Sequence, residues 1–492
     1  MITRRYFYST YFTSPLTRFL QDLQKRDLII HTHPNFPFKE QDIYSYSSTF
    51  PSVIYAGFDA TSNSLHVGNL LILTSMIRSS IMGCMPLLLI GEGTAAIGDP
   101  SGHIGDGDFS FPYPHVFCLP VFISSRIFLV PPSLLHIDNL NVLDRRQISR
   151  DVLQENATSL CKQIQKLMEN ANILCGSKFL PFKILNNLSW YKEYRLQTSM
   201  LDFLTSSRRY RVGDMLRIGP VKSRIDNEQT LSYTEFSYQI LQANDWLILS
   251  KIHNCFCQVI GGSDQLGNFK TGFEHIRSET GQSSLGICVP LITDGNNNKL
   301  GKSSKESSDA NFWLSAKKTS PFAFYQYFRQ LHDDISAKLF LQFSLKEVEE
   351  ISAILDEHNK NLGKWIAQTH LADELTMLVH GEEGLQLARK CSKLLFHGSL
   401  DDIENLQVET IKSLFGKAST FTIPKNSVKT FGEVAEITRT GGARLMKEGA
   451  LKLNGVKIRD PDQKLDVEKF LLKNQFSLIC WGKRKFSLIQ WL

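Results

Sequence analysis

Two short polar segments, more than two hundred residues apart, could each handle phosphate. The first is LHVGN at residues 65–69, where His66 precedes an apolar stretch with helical periodicity. The second is KLGKS at residues 299–303, which carries Lys299 and Lys302. A histidine and bare backbone amides at the start of a helix attract an anion, and two lysines can neutralise a triphosphate as it breaks. Neither segment is decisive alone, because such residues are commonly helix caps or solvated surface charges.

Six short segments, these two included, follow one another in a recognisable order. They are YAGFDAT (55–61), LHVGN (65–69), GDPSG (98–102), YTEFSYQILQAND (233–245), GGSDQLGN (261–268) and KLGKS (299–303). LHVGN and KLGKS in this order resemble the HIGH and KMSKS signatures of class I aminoacyl-tRNA synthetases. The other segments resemble those of tyrosyl-tRNA synthetases, and GSDQLGN and KLGKS look most like the mitochondrial branch. The similarity extends from about residue 20 to the C-terminus.

The resemblance implies a binding pocket for L-tyrosine. The residues that it assigns to this pocket are Tyr55, Asp99, Asn187, Tyr238, Gln242, Asp245 and Gln265. The family places Asp245 and Tyr55 on the substrate hydroxyl, whereas Gln265 would orient the carboxylate. Tyr238, Gln242 and Asp99 would hold the ammonium group. Spacings of four and three residues put Tyr238, Gln242 and Asp245 on one helical face. A buried acceptor at Asp245 can reject phenylalanine by about 10⁴–10⁵.

The resemblance also implies an ATP site. The residues assigned to it are Gly57, Asp59, Thr61, His66, Gly68, Asn69, Asp264, Lys299, Lys302 and Ser303. The expected catalytic residues among them are Thr61, His66, Lys299 and Lys302. These four would contact the phosphates as pyrophosphate departs, and the tyrosine carboxylate would attack the α-phosphorus without a covalent enzyme intermediate. Mg²⁺ is expected to accompany ATP mostly hydrated, so no tightly bound metal is predicted.

The fold class expected from the sequence is α/β, in three domains. Alternating strands and helices predict a Rossmann-like parallel-sheet catalytic domain over residues 21–304. A helical period follows over residues 305–416, and the resemblance makes this the anticodon-binding domain. Residues 427–492 resemble a small α+β RNA-binding domain, in which Arg444 and Lys447 are the expected tRNA contacts.

Two segments stand apart from this organisation. Residues 1–20 carry arginines and hydroxyl residues but no acidic residue, which is typical of a mitochondrial transit peptide; a basic N-terminal tail is the alternative. Residues 106–143 are rich in Phe and Pro, show neither helical nor strand periodicity, and have no counterpart in the family pattern. This segment is either a lineage-specific insertion or a translated intron. Composition favours the intron, and sequencing the transcript would decide between them.

Composition and charge restrict the classes of partner. The chain of 492 residues is 42% hydrophobic and 21% charged, which is typical of a globular protein. A net charge of +6 suits a polyanion. No apolar run reads as a membrane span, and nine Cys without a CxxC pair indicate reduced thiols. The expected partners are L-tyrosine, ATP and tRNA(Tyr), in the mitochondrial matrix, and the resemblance implies a homodimer.

Two other functions remain open at this stage. A synthetase for tryptophan would have no need of Asp245. A synthetase-like protein that binds RNA without catalysis, such as an intron-folding factor or an inactive paralogue, would need none of the signature residues. His66, Asp264 and Lys302 are all present, together with the rest of the expected site, and they argue against the second alternative.

Overall fold

The structure is a computed structural model, and its description covers most of the chain. The described residues are 14–35, 46–100, 120–123, 126–129, 148–176, 179, 181–192, 199–262, 265–292, 312–397, 404, 408, 411, 420–439, 441–482 and 485–492. Within these ranges, no helix has both the length and the apolar character needed to cross a membrane.

The described residues form thirteen strands in three sheets. In chain order the strands are β1 (His31–His33), β2 (Val53–Asp59), β3 (Met85–Gly91), β4 (Pro120–Ile123), β5 (Arg126–Leu129), β6 (Lys183–Asn186), β7 (Cys257–Gly261), β8 (Leu285–Val289), β9 (Thr420–Ile423), β10 (Leu451–Leu453), β11 (Val456–Ile458), β12 (Phe476–Trp481) and β13 (Lys485–Trp491). Three of them, β1, β10 and β11, are only three residues long.

The first sheet has six strands in the order β1-β8-β7-β2-β3-β6. All neighbouring pairs are parallel except β1 with β8. The central strands read as continuous apolar runs because helices cover both faces of such a sheet. In β3, for example, every residue after Met85 is buried. The predicted Rossmann-like sheet is therefore confirmed, and the strand predicted at residues 86–90 is β3.

Three helices matter most for the site. The signature helix is Val67–Ile81, with His66 at its N-cap, close to the predicted span of residues 65–82. The long helix is Arg150–Cys175, which Ser149 caps by accepting a hydrogen bond from the Val152 amide. The pocket helix is Tyr233–His253. It begins where Ser232 and Glu235 form a capping box, which satisfies two amides of the first turn.

The N-terminal helix, Pro15–Lys25, lies across the expected end of the transit segment at residue 20. Its residues Leu16, Phe19 and Leu20 are fully buried in the main core. Cleavage after residue 20 would cut this helix and remove three core side chains, at roughly 1.5–3 kcal/mol for each buried side chain. A transit segment that ended at residue 20 would therefore take part of the main core with it.

The region expected to bind the anticodon is helical, as predicted. Its described helices are Pro321–Arg329, Asp333–Phe343, Val348–Lys360 and Ile366–His397. A helical period runs through residues 321–334, but these residues form parts of two helices, because a turn at 330–332 separates them. The fourth helix contains a kink at Gly381, whose φ of 78° lies in the left-handed region.

The C-terminal residues form a five-stranded sheet with a core cluster of its own. The sheet is mixed and has the order β11-β10-β12-β13-β9. The short helix Gly442–Lys447 precedes β10. Asn454 and Gly455 join β10 to β11 with φ values of 46° and 81°, as a type I′ hairpin turn requires. The predicted basic helix and Asn-Gly hairpin are thus both present.

The segment predicted as an anomalous insertion contains regular structure. Strands β4 and β5 pair antiparallel, with Ile123 opposite Arg126. Residues 106–143 show no clear strand periodicity, so the sequence alone does not predict this hairpin. The remainder of residues 106–143 lies outside the described residues, and so do residues 144–147. The described helical structure resumes at Arg150.

Candidate active site

The expected tyrosine and ATP residues meet at the carboxyl ends of the parallel strands. Asp59 ends β2, Gly91 ends β3 and Gly261 ends β7, and β2 lies between the other two. Loops that follow parallel strands converge at one edge of the sheet, which is where ligands bind in open α/β folds. The pocket helix closes this edge from one side, and Tyr238 and Asp245 on it are both buried.

Asp245 is at the centre of a buried polar cluster. It is 3% exposed and accepts three hydrogen bonds: from Asn187 Nδ2 at 3.0 Å, Trp190 Nε1 at 2.9 Å and Tyr191 Oη at 3.2 Å. Burial raises the pKa of this carboxyl to about 7, although the three donors act to lower it. Three donors fix the carboxylate rigidly in an apolar setting, which is the arrangement needed for a specificity acceptor.

Two polar atoms of the expected pocket lack a partner among the described residues. Tyr55 Oη is buried, and so is Gln242 Oε1. Burial, followed by the charge of Asp245, raises the pKa of the Tyr55 hydroxyl well above its ordinary value. A buried polar group without a hydrogen bond costs about 1–3 kcal/mol. A ligand that carries both a hydroxyl and an ammonium group would satisfy these two atoms.

Asp59, an expected residue of the ATP site, is also hydrogen-bonded to Tyr238 of the expected tyrosine pocket. Tyr238 Oη donates to Asp59 Oδ2 at 2.8 Å, and Thr94 Oγ1 donates to Asp59 Oδ1 at 2.7 Å. Thr94 Oγ1 also accepts from Asn187 Nδ2 at 3.1 Å, and Asn187 Oδ1 accepts from the Gly93 amide at 2.7 Å. A continuous hydrogen-bonded network therefore links Asp245 to Asp59 through Asn187 and Thr94.

Asp99 and Gln265 face each other across the site. Gln265 Nε2 donates to Asp99 Oδ2 at 3.1 Å, and Gln265 Oε1 accepts from Asn268 Nδ2 at 2.8 Å. Asp99 also lies close enough to Tyr238 to raise the pKa of that hydroxyl, together with burial and Asp59. The structure therefore brings together the two groups expected to hold the ammonium and carboxylate of the amino acid.

The phosphate side of the site is built on the turn between β2 and the signature helix. Thr61 is exposed in this turn, and His66 ends it. Asn69 Oδ1 accepts a hydrogen bond from the His66 amide at 3.1 Å, so Asn69 helps to cap the helix. Gly57 is exposed on β2, and a Cβ added there would meet no atom within 4 Å. The backbone at Gly57 is therefore open enough for a flat nucleoside to lie against it.

Several expected residues lie outside the described part of the chain. They are Asp264, Lys299, Lys302 and Ser303. The described residues that follow the KLGKS segment nonetheless show where this part of the chain lies. The Leu314 amide donates to Leu65 O at 2.8 Å, and the Val67 amide donates to Phe312 O at 2.9 Å. The chain that follows KLGKS is thus paired with the backbone around His66.

Known families and proteins resemble this chain. The family described as "tRNA synthetases class I (W and Y)" matches residues 47–105 and 143–397. The chain belongs to this family. A mitochondrial tyrosine–tRNA ligase of Drosophila melanogaster is 34% identical over 451 residues, covering 89% of this chain and 87% of the relative. A tyrosine–tRNA ligase of Rhodopirellula baltica is 30% identical and covers 96% of both chains.

A solved structure agrees with these relatives. The C-terminally truncated mitochondrial tyrosyl-tRNA synthetase of Aspergillus nidulans superposes with a TM-score of 0.60 at 25% identity, covering 77% of this chain and 94% of that one. The resemblance predicted from the sequence, to a class I tyrosyl-tRNA synthetase of mitochondrial type, is confirmed, and so is the fold class. The family match passes over residues 106–142, within the segment predicted to be an insertion.

Sequence reasoning missed three side chains of this synthetase's pocket. Trp190 and Tyr191 donate to Asp245, and Thr94 orients Asp59. The run Asn187-Leu-Ser-Trp-Tyr does give a signal, because amide and aromatic donors cluster there in an otherwise apolar stretch. Their role depends on a contact with a helix more than fifty residues away, which no local pattern shows. Arg444 and Lys447 are exposed on the helix Gly442–Lys447, far along the chain from the pocket.

Proposed function

We propose that this synthetase activates L-tyrosine with ATP and transfers it to the 3′ end of tRNA(Tyr) for mitochondrial translation in the matrix. The observation that carries the proposal is the Asp245 cluster beside the Tyr55 hydroxyl, which has no hydrogen-bond partner among the described residues. A substrate phenol between these groups donates to the Asp245 carboxylate and accepts from Tyr55. Phenylalanine leaves both unsatisfied, and tryptophan presents a donor at a different distance and angle.

The amino-acid end of the substrate has its own partners. Gln242 Oε1 accepts from the substrate ammonium, and Asp99 and Tyr238 complete a polar site around that charge. Gln265 then directs the tyrosine carboxylate towards the α-phosphorus. An ammonium group taken out of water requires a negative partner, which is why a carboxylate at Asp99 is essential to binding.

The first chemical step proceeds by positioning and charge stabilisation. The carboxylate attacks the α-phosphorus in line, and negative charge grows on the departing pyrophosphate. Thr61 and His66 donate to that charge, and Lys299 and Lys302 neutralise it. Gly57, Gly68 and Asn69 shape the nucleotide side, Asp264 binds the ribose hydroxyls, and Ser303 belongs to the phosphate loop. Mg²⁺ enters with ATP and stays largely hydrated.

In the second step the tRNA 3′ hydroxyl displaces AMP. The C-terminal domain supplies exposed cations for the RNA backbone, with Arg444 and Lys447 on the helix before the hairpin. Each phosphate contact of this kind adds salt-dependent affinity rather than sequence specificity. The helical domain over residues 305–416 contacts the anticodon. Residues 1–13 are the transit segment in this proposal, since the helix Pro15–Lys25 that follows them packs into the main core.

We also propose that the synthetase is a homodimer. An apolar groove between the helix Val212–Met215 and the start of the pocket helix is exposed to solvent. Val212 is 59% exposed, Ile225 47% and Tyr233 70%. The family resemblance implies a homodimer, and this groove is the surface that we assign to its interface. Apolar area of this kind is stabilised by about 25 cal/mol per Å² removed from water.

A charge placed in the groove should separate the subunits. Val212→Glu is expected to convert the dimer to a monomer at micromolar concentration, because an unpaired carboxylate would be buried at the contact. Light scattering coupled to size-exclusion chromatography measures the mass. Ile437→Glu is the control, since Ile437 is also exposed, at 49%, but lies in the C-terminal domain. If the Val212→Glu protein remained a dimer while the Ile437→Glu protein became a monomer, the interface would lie elsewhere.

Tyrosine-dependent ATP–pyrophosphate exchange tests the proposed function. The protein without residues 1–13 is assayed with tyrosine, tryptophan and phenylalanine. Exchange with tyrosine, and a discrimination against phenylalanine of about 10⁴–10⁵, is the expected result. Exchange with tryptophan would reassign the pocket. RNA binding without exchange would show a non-catalytic protein, and repeating the assay with residues 106–143 deleted would show whether that segment blocks the site.

A further inference from the structure

The long helix Arg150–Cys175 carries three carboxamide side chains at regular intervals of seven residues. They are Asn156, Gln163 and Asn170. Seven residues are close to two helical turns, so these side chains lie along one face. Asn156 and Asn170 are 6% and 8% exposed, and Gln163 is half-buried. None of the three belongs to the segments that resemble the family signatures.

Gln163 makes three hydrogen bonds to the turn that leads to His66. Its Nε2 donates to Asn63 O at 3.0 Å. Its Oε1 accepts from the Leu65 amide at 3.1 Å and from Ser64 Oγ at 3.3 Å. One side chain therefore holds three consecutive residues immediately before the signature histidine.

Asn156 holds the other end of the same turn. Its Nδ2 donates to Ala60 O at 3.0 Å, in the residue before Thr61. The carboxamides at 156 and 163 thus fix the backbone on both sides of the exposed stretch that begins with Thr61. The turn's two phosphate ligands, Thr61 and His66, are carried by backbone that these two side chains hold.

Asn170 ties the helix to the helical domain. Its Nδ2 donates to Leu378 O at 3.0 Å. Gly381 follows three residues later, with the φ of 78° that interrupts the helix Ile366–His397. Carbonyl groups just before such an interruption need partners from elsewhere. The long helix is therefore fixed at its far end, which gives Gln163 and Asn156 a defined position relative to the turn.

We propose that Gln163 is a positioning residue for adenylate formation, acting through the backbone of the turn that presents Thr61 and His66. The proposal rests on the proposed function. In-line displacement at phosphorus depends on donors held where charge develops, and a misplacement of about 1 Å can cost 10²-fold in rate. Gln163 supplies that placement from outside the pocket, so it touches neither tyrosine nor ATP.

The turn has a second anchor that does not depend on Gln163. The Ser315 amide donates to Ser64 Oγ at 3.2 Å, and the Leu314 amide donates to Leu65 O at 2.8 Å. Loss of the carboxamide therefore leaves the turn attached on one side while its other side is released. The expected consequence is a folded protein with a displaced phosphate site.

Gln163→Met tests this, because methionine keeps the length of the side chain and removes all three hydrogen bonds. Gln165→Met is the matched control: Gln165 lies on the exposed side of the same helix, where its Nε2 donates to Glu169 Oε1 at 3.0 Å. Rapid-quench measurements give the rate of tyrosyl-adenylate formation and, separately, the rate of tyrosine transfer from preformed adenylate to tRNA. Calorimetry gives the Kd of tyrosine, and circular dichroism gives Tm.

The expected result is a fall of about 10- to 100-fold in the rate of adenylate formation for Gln163→Met. The transfer rate and the Kd of tyrosine should stay within about twofold, because neither depends on the pyrophosphate donors. Gln165→Met should match the wild type throughout. Adenylate formation within twofold of wild type, or an equal loss in all three quantities, would overturn the proposal. An inactive wild type that still binds tyrosine would instead refute the proposed function.

Discussion

Replacement of Asp245 by asparagine is expected to lower kcat/KM for tyrosine by about 10³-fold or more. The carboxylate accepts from Asn187, Trp190 and Tyr191 and still has to accept from the substrate hydroxyl. An amide has a single acceptor oxygen, and its NH₂ would point at donors. The cluster then opens, and the specificity acceptor is lost. Exchange kinetics at pH 8 with tyrosine and phenylalanine measure the effect.

The control for this variant is Glu468→Gln, which makes the same carboxylate-to-amide change at an exposed residue that pairs with Lys425 at 2.9 Å on the surface. Surface pairs of this kind contribute about 0–1 kcal/mol, so that variant should behave like the wild type. An Asp245→Asn protein that keeps its preference for tyrosine over phenylalanine within tenfold would show that another group selects the substrate hydroxyl.

The Asp245 carboxyl also determines how kcat/KM for tyrosine depends on pH. Burial raises the pKa of Asp245 to about 7, so the unliganded site loses its carboxylate as pH falls through about 7. Wild-type kcat/KM for tyrosine should therefore decline on the acid side with an apparent pKa near 7. The effect on stability has the opposite sign. Between about pH 4 and 7 the folded state binds the extra proton, so this group's contribution to stability decreases as pH rises.

Substitution of His66 by alanine is expected to reduce kcat for tyrosine activation by about 10²–10³, with little change in KM for tyrosine. Removal of one donor to charge that develops in a transition state has a cost of this order. His66 lies at the N-cap of the signature helix, and its backbone pairs with Trp313, so the imidazole can be removed without loss of the helix. Single-turnover formation of tyrosyl-adenylate measures the rate.

His332→Ala controls for the loss of an imidazole at a helix N-cap position. His332 is also an N-cap residue, on the helix Asp333–Phe343, and it is exposed. Its removal should leave adenylate formation unchanged. If His66→Ala raised KM for tyrosine in proportion to the fall in kcat, the histidine would shape the amino-acid pocket and not the phosphate site.

The positions of the main elements followed from local patterns. Local patterns predict strand β2, the signature helix and the hairpin at Asn454, because apolar periodicity, a cap and an Asn-Gly turn are all local features. They do not predict the helix break at 330–332 or the strands β4 and β5. In both places the local pattern is weak, and strands β4 and β5 are recognised only from their pairing with each other.

The sequence by itself determined the family, the order of the signature segments and the identity of the residues expected to bind tyrosine. These depend on residue type and spacing, which the chain carries explicitly. Only the tertiary structure decided that Trp190 and Tyr191 bond Asp245, that the N-terminal helix belongs to the folded core, and that Gln163 holds the turn before His66. The physical reason is that each is a contact between segments far apart in sequence, and such contacts form only when the sheet and its helices have brought those segments together.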